Sequence, residues 1–136
     1  MQRKSSSILR EYLRHRRETL EKRPTLIKQF LKKLVETIGQ NTTIIVFGGR
    51  GTPQTLYSTE PRDLDLLIIT GENTNTIEEQ VYRLKPPRLP ADIIIVNYRE
   101  FNPCEKIIKQ MLKKHIIIHD GLGIAGKIRK CLQDTS

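Results

Sequence analysis

Tryptophan is absent from this 136-residue chain and aromatic residues make up only 5% of it, so aliphatic side chains must fill whatever core it builds. Cysteine is nearly absent too. Cys104 and Cys131 stand far apart and form no CxxC pair, which argues against a zinc ribbon or a dithiol redox centre and makes a reduced cytoplasmic setting the expectation. No apolar run is long enough to span a membrane. The basic start MQRKSSSILREYLRHRRETL has no apolar stretch of the kind a signal peptide carries. Internal repeats are lacking as well.

Charge, by contrast, is plentiful and uneven. The chain carries a formal net charge of +9, with 29% charged residues. Residues 1–40 hold 11 Lys and Arg against 4 acids, whereas residues 41–136 hold 13 against 11. A basic segment is therefore joined to a nearly neutral one, which points to an anionic partner or to a solvated helix face. The Ile, Lys and Arg bias is compatible with a thermophilic source.

The length suits one compact domain. Ile8, Leu9, Tyr12, Leu13 and Leu20 recur at helical spacing, with Ser5 to Ser7 available as caps. Pro24 is expected to open a second helix, whose Leu26, Ile27, Phe30, Leu31, Leu34, Val35 and Ile38 form a wide apolar face ending at Gly39. Three apolar runs then read as strands, at 42–47, 63–70 and 91–97, with a helix NTNTIEEQVYRL between the second and third. NPCEKIIKQMLKKH reads as a helix with Asn102 as its cap and Pro103 in its first position, followed by a short strand IIIHDG. The expected order, α-α-β-β-α-β-α-β, describes an α/β (α+β) fold: a small mixed β-sheet flanked by helices, with two extra N-terminal helices. Residues 1–40 are the basic helical segment, packed on the domain or extending from it. Residues 41–120 form the domain, and residues 121–136 a tail that holds one more helix or frays.

The chemistry-bearing feature is DLDLLI. Side chains alternate along a strand, so Asp63 and Asp65 share a face while Leu64, Leu66 and Ile68 enter the core on the other. Asp92 heads the next apolar strand. If the two strands are neighbours, three carboxylates converge at one end of the sheet. Such acids repel unless cations sit between them, and oxygen-only ligands suit Mg²⁺. Upstream, FGGRG follows a strand, as phosphate-binding turns do. Gly48 and Gly49 let the backbone approach an anion, and Arg50 offers a guanidinium fork.

Together, VFGGR, DLDLLI and ADIIIVNYREF resemble the small single-domain, archaeal-type minimal nucleotidyltransferases of the DNA polymerase β superfamily, over about residues 42–120. The resemblance implies a nucleotidyltransferase-like domain that binds a nucleoside triphosphate such as ATP with two Mg²⁺ ions. It would then move the nucleoside monophosphate to a hydroxyl on a protein or a nucleic-acid end. It further implies that Asp63 and Asp65 are the metal-binding pair and that Asp92 is the third acid, which binds the catalytic metal and activates the attacking hydroxyl. Gly48 takes the place of the family's turn glycine and Arg50 that of a frequent basic residue. Gly49 stands where the family has a serine that touches the triphosphate, and the segment GTPQTLYSTEPR is longer than its counterpart. Small members of the family are often found with a helical, toxin-like partner protein. The alternatives carried forward are a catalytically weak or inactive module of the same fold acting as an antitoxin-like partner binder, and non-specific nucleic-acid contact through the Arg3–Lys33 basic helices.

Other reactive types fit bland roles. At a spacing of four on a strand His115 and His119 share a face but lie too far apart to chelate one ion easily, and His15 belongs to a basic surface. Cys104 has no evident base beside it.

Overall fold

The computed structural model describes residues 2–60 and 63–134. The elements run α1 (Gln2–Ile38), β1 (Thr42–Phe47), β2 (Leu64–Thr70), α2 (Thr74–Leu84), β3 (Ala91–Asn97), α3 (Lys106–Met111), β4 (His115–Asp120) and α4 (Ala125–Gln133). The fold is the mixed α+β architecture expected, a four-stranded sheet in the order β3-β2-β1-β4. β1 pairs antiparallel with both β2 and β4, and β2 pairs parallel with β3.

Helices cover both faces. On one, Ile27, Phe30, Leu31, Leu34 and Ile38 of α1 and Ile77 and Val81 of α2 pack against Ile44, Val46, Leu64, Leu66 and Ile68. On the other, Ile108 and Met111 of α3, with Ile124 and Ile128 at α4, pack against Ile45, Leu67 and Ile69. β2 is thus buried from both sides, which explains its unbroken apolar run LLII after the acids. Each fully buried Ile or Leu contributes roughly 1.5–3 kcal/mol.

Three expectations change. First, α1 is one helix, with Pro24 inside it. An interior proline loses a backbone bond and crowds the preceding turn. Nothing in EKRPT, however, stops the first half: it has no glycine and no capping residue before the proline. Downstream, the core-facing stripe from Ile27 onward holds the helix in place. The stripe keeps its helical phase upstream as well, where Ile8, Leu9, Tyr12 and Leu13 are 54–68% exposed. Second, α3 spans only Lys106–Met111. Asn102 does not cap it; its side chain accepts the backbone N–H of Cys104 at 3.0 Å and closes a turn. Third, Cys104 and Cys131 form a disulfide that ties this turn to α4, so neither is the free thiol of the reduced setting expected.

The tail is helical. Its anchor is Asp120 at the end of β4, which accepts the Thr43 hydroxyl at 2.8 Å and the N–H groups of Ile124 and Ala125 at 2.9 and 3.0 Å. A bulge in β4 between the pairings Ile44–His119 and Ile45–Ile117 places His115 and His119 on opposite faces, not on one. His119 donates to the Gly39 carbonyl at 2.9 Å, at the end of α1.

Two measurements check these ties. The disulfide closes a loop of 27-residue separation, for which chain entropy gives about 3–4 kcal/mol. Cys104→Ala/Cys131→Ala is expected to lose about that much in urea unfolding, and reductant to bring the wild type to the same midpoint. At Asp120, burial raises the carboxyl's pKa, but hydrogen bonds from Ala125, Ile124, Thr43 and Gly123 outweigh it and hold the group below its ordinary value. An acid depressed on folding stabilises above its unfolded pKa and loses that contribution as pH falls through the folded one. Asp120→Asn should therefore cost about 1–2 kcal/mol at pH 7, with the gap narrowing on acidification in thermal melts.

Candidate functional site

The parallel register of β2 and β3 pairs Leu64 with Ala91, Asp65 with Asp92 and Leu66 with Ile93. Paired residues point to the same face, so Asp65 and Asp92 stand side by side on the α3/α4 face, at the end where both strands begin. Asp63 lies immediately before β2, which starts at Leu64 rather than at the acid, and is near enough to act on Asp65 electrostatically. The structure therefore brings together the three acids singled out in the sequence. Asp63 and Asp92 are exposed and Asp65 is half-buried, so the cluster opens to solvent.

The row continues across the sheet. Asp65 pairs with Phe47 of β1, and Phe47 pairs with His115 of β4. At this end, Asp92, Asp65, Phe47 and His115 consequently occupy one line on one face. His115 was not legible as part of that line, because it depends on strand order. Its Nδ1 lies 2.7 Å from the Leu112 carbonyl.

Burial, then the charge of Asp92, then that of Asp63, and finally a carboxyl–carboxyl contact with Asp92 raise the pKa of Asp65. Like charges face one another here, which is the arrangement a hard cation relieves. The donors are all carboxylate oxygens. Among the described residues, no group of three or more His, Cys, Asp or Glu side chains is placed so that it could hold a metal ion, so the three acids do not form a ready-made ligand set. Open carboxylate sites suit Mg²⁺, which keeps waters and takes further oxygens from substrate phosphates.

The glycine turn adjoins the same acids. After β1 the chain makes one 3-10 turn, Gly48–Arg50, closed by Gly51 N–H to Gly48 O at 3.0 Å. Gly48 has φ +68°, and a Cβ there would lie 2.6 Å from Asp65 Oδ2. Glycine is required on both counts, for the left-handed backbone and for the close approach of the carboxylate. Gly49 is exposed on the turn.

Arg50 is placed differently from the phosphate arm expected. Its side chain is wholly buried, and its Nη1 donates to the carbonyls of Thr55, Leu56 and Ser58 at 3.1, 3.2 and 2.8 Å. Burial and the nearby charge of Arg23 lower its pKa, partly offset by Glu60. Arg23 of α1 donates to Thr59 O at 2.9 Å, and Lys28 stacks its ammonium 5.0 Å from the Tyr57 ring centroid. The long segment after the turn is thus a clamped loop, in which Arg50 and Arg23 both hold backbone carbonyls.

Comparison with family models gave no match, and comparison with curated proteins gave none. Among the described residues, no helix is long and apolar enough to cross a membrane.

The raised Asp65 carboxyl has a measurable consequence. An acid whose folded pKa exceeds its unfolded one holds its proton more tightly when folded, so its ionisation weakens the fold as pH rises through the folded value. Asp65→Asn is therefore expected to melt above the wild type at pH 7 and level with it near pH 3. Equal melting temperatures at both pH values would show that the carboxylates do not repel.

Proposed function

We propose that the protein is a metal-dependent nucleotidyltransferase. It would take a nucleoside triphosphate, ATP among them, and move its nucleoside monophosphate to a hydroxyl on a protein or a nucleic-acid end. The observation that carries the reading is the pairing of Asp65 with Asp92 in the β2–β3 register, with Asp63 beside them and the Gly48 turn against Asp65. Three acids and a glycine turn at one sheet end are the parts that the resemblance to the DNA polymerase β superfamily assigns to metal and triphosphate.

In this reading Asp63, Asp65 and Asp92 hold Mg²⁺. When bound, the metal lowers the pKa of the acceptor hydroxyl and neutralises charge on the triphosphate. The chain's own residues do the rest. Gly48 and Gly49 let the backbone approach the phosphates closely. Asp92, on the outer strand and exposed, is the acid best placed to take the acceptor's proton. Arg50 acts indirectly, by holding the loop after the turn. The protein would then work in the cytoplasm, where triphosphates are held. A thermophilic source, with which the Ile, Lys and Arg bias is compatible, would accommodate the Cys104–Cys131 disulfide there, since intracellular proteins of hyperthermophiles can be disulfide-bonded.

A second reading has its own support. With Gly49 in place of serine and the Arg50 side chain taken up by loop carbonyls, the fold could serve as an inactive, antitoxin-like binding module. The exposed stripe Ile8, Leu9, Tyr12 and Leu13 on basic α1 is the surface that a helical, toxin-like partner would cover, and the same basic helix could touch nucleic acid non-specifically.

Incubation with Mg²⁺ and each α-labelled triphosphate, alongside Asp63→Asn/Asp65→Asn, separates the two readings. The enzyme reading expects triphosphate binding, label transfer reduced at least about a hundredfold in the variant, and a Mg²⁺-dependent rise in melting temperature confined to the wild type. Absence of binding and labelling in the wild type would leave the binding module.

A further inference from the structure

β3 is an edge strand, and its outer side is bare. Among the described residues, no backbone hydrogen bond from another element reaches Ala91–Val96 across that edge. Edges of this kind are ordinarily blunted by lysine, proline or a bulge. β3 reads ADIIIVN, with no Lys, Arg or Pro, and pairs with β2 over all seven residues without a register shift. The opposite edge, β4, is guarded: it carries the bulge and comes directly after Lys113 and Lys114. One edge is broken by a bulge, and the other is regular and, after Pro90 and Asp92 at its head, apolar.

The open edge is also the strand that carries Asp92. Ile94, two residues on and on the same face, is 41% exposed, whereas Ile93 and Ile95 pack toward the core on the other face. A strand added outside β3 would run its alternate side chains beside Asp92 and Ile94. We propose that the outer edge of β3 receives an extended, uncharged or basic polypeptide segment as a fifth strand, with a Ser, Thr or Tyr hydroxyl facing Asp92. The inference rests on the nucleotidyl-transfer reading and names its acceptor.

Charge selects this occupant. The only charged side chain in Ala91–Asn97 is the negative Asp92, with Asp63 and Asp65 close by. A polynucleotide would bring phosphates to a strand that itself carries no basic side chain and heads into the acid cluster, and its backbone cannot continue the sheet ladder. A neutral or basic peptide meets neither obstacle. In the transfer step the peptide hydroxyl oxygen bonds to the α-phosphorus and the bond from that phosphorus to the bridging oxygen breaks. Pyrophosphate leaves with the bonding electron pair, and the hydroxyl proton passes to the Asp92 carboxylate.

The test uses the full chain with Mg²⁺, an α-labelled triphosphate, and three peptides Val-Gln-Val-X-Val-Gln-Val in which X is Ser, Thr or Tyr. An oligonucleotide with a free 3′ hydroxyl competes. At least one peptide is expected to take label. Ile94→Lys should lower that labelling at least about tenfold with triphosphate binding unchanged, Ile94→Val should retain it, and the same peptide with alternate backbone nitrogens methylated should lose it. The methylated peptide leaves the protein untouched, so its result does not depend on how the variants fold. If triphosphate binds but label enters only the oligonucleotide, or peptide labelling is indifferent to N-methylation, the inference fails and the function stands. It fails in the same way if Ile94→Lys instead dissolves a homodimer seen by sedimentation. If the wild type binds no triphosphate and labels nothing, both fail together.

Discussion

The parallel pairing of β2 with β3 sets Asp65 beside Asp92, and a slip of one residue would undo it. Side chains repeat with a period of two, so such a slip would put the two acids on opposite faces. It would also expose the apolar set of one strand, because Leu64, Leu66 and Ile68 pack under α1 and α2 while Leu67 and Ile69 pack under α3 and α4. The register that places the carboxylates is therefore the register that buries β2 from both sides. The packing of the whole domain fixes a geometry that electrostatics alone would oppose, and the opposition falls on Asp65, the most enclosed of the three acids.

Where the cluster sits is set by the same strand. The apolar residues of β2 occupy its middle and far end, where helices cover both faces. Its head lies beyond that cover, so Asp63 and Asp92 remain in water while Asp65 is half-withdrawn. An acid further along that face of β2 would be sealed under α3 and α4, whereas Asp65 lies in register with Asp92 and close enough to Asp63 to feel its charge. Gly48 completes the constraint, since any side chain there would occupy the space of the Asp65 carboxylate.

Much of this was legible in the residues alone. The alternation in DLDLLIIT fixes which residues face together, and the strand positions, the mixed sheet and the helix at 74–84 come from local periodicity. The features that escaped such reading depend on distant partners. Pro24 signals a helix start locally, yet the helix runs through it because nothing upstream ends it and the core holds its second half. Asn102 and Pro103 look like a helix opening, but the turn they form is tied by Cys104 to α4, whose position no nearby residue encodes. The β4 bulge separates His115 from His119, and a bulge leaves no periodic trace in so short a strand. Two cysteines alone in a chain were the signal for the disulfide, outweighed by the default for a cytoplasmic protein. DGLGIA, an acid and then glycines before an amphipathic run, was the signal for Asp120 as the anchor of α4.

Arg50 marks the limit of reading chemistry from residue type. A guanidinium three positions after a strand suits a phosphate, yet the same group is the efficient way to tether several carbonyls of an irregular loop. The loop after the turn is long and, among its described residues, offers only Leu56 to the hydrophobic core, so apolar burial does little to hold it. Arg50 from the turn, with Arg23 and Lys28 from α1, does so instead. The Gly48 turn, which touches Asp65, is thereby braced from the helix layer on the far face of the sheet. The length of the loop and the burial of Arg50 inside it go together. The turn and its loop are thus held by cationic side chains, while the strand heads beside them carry the three acids.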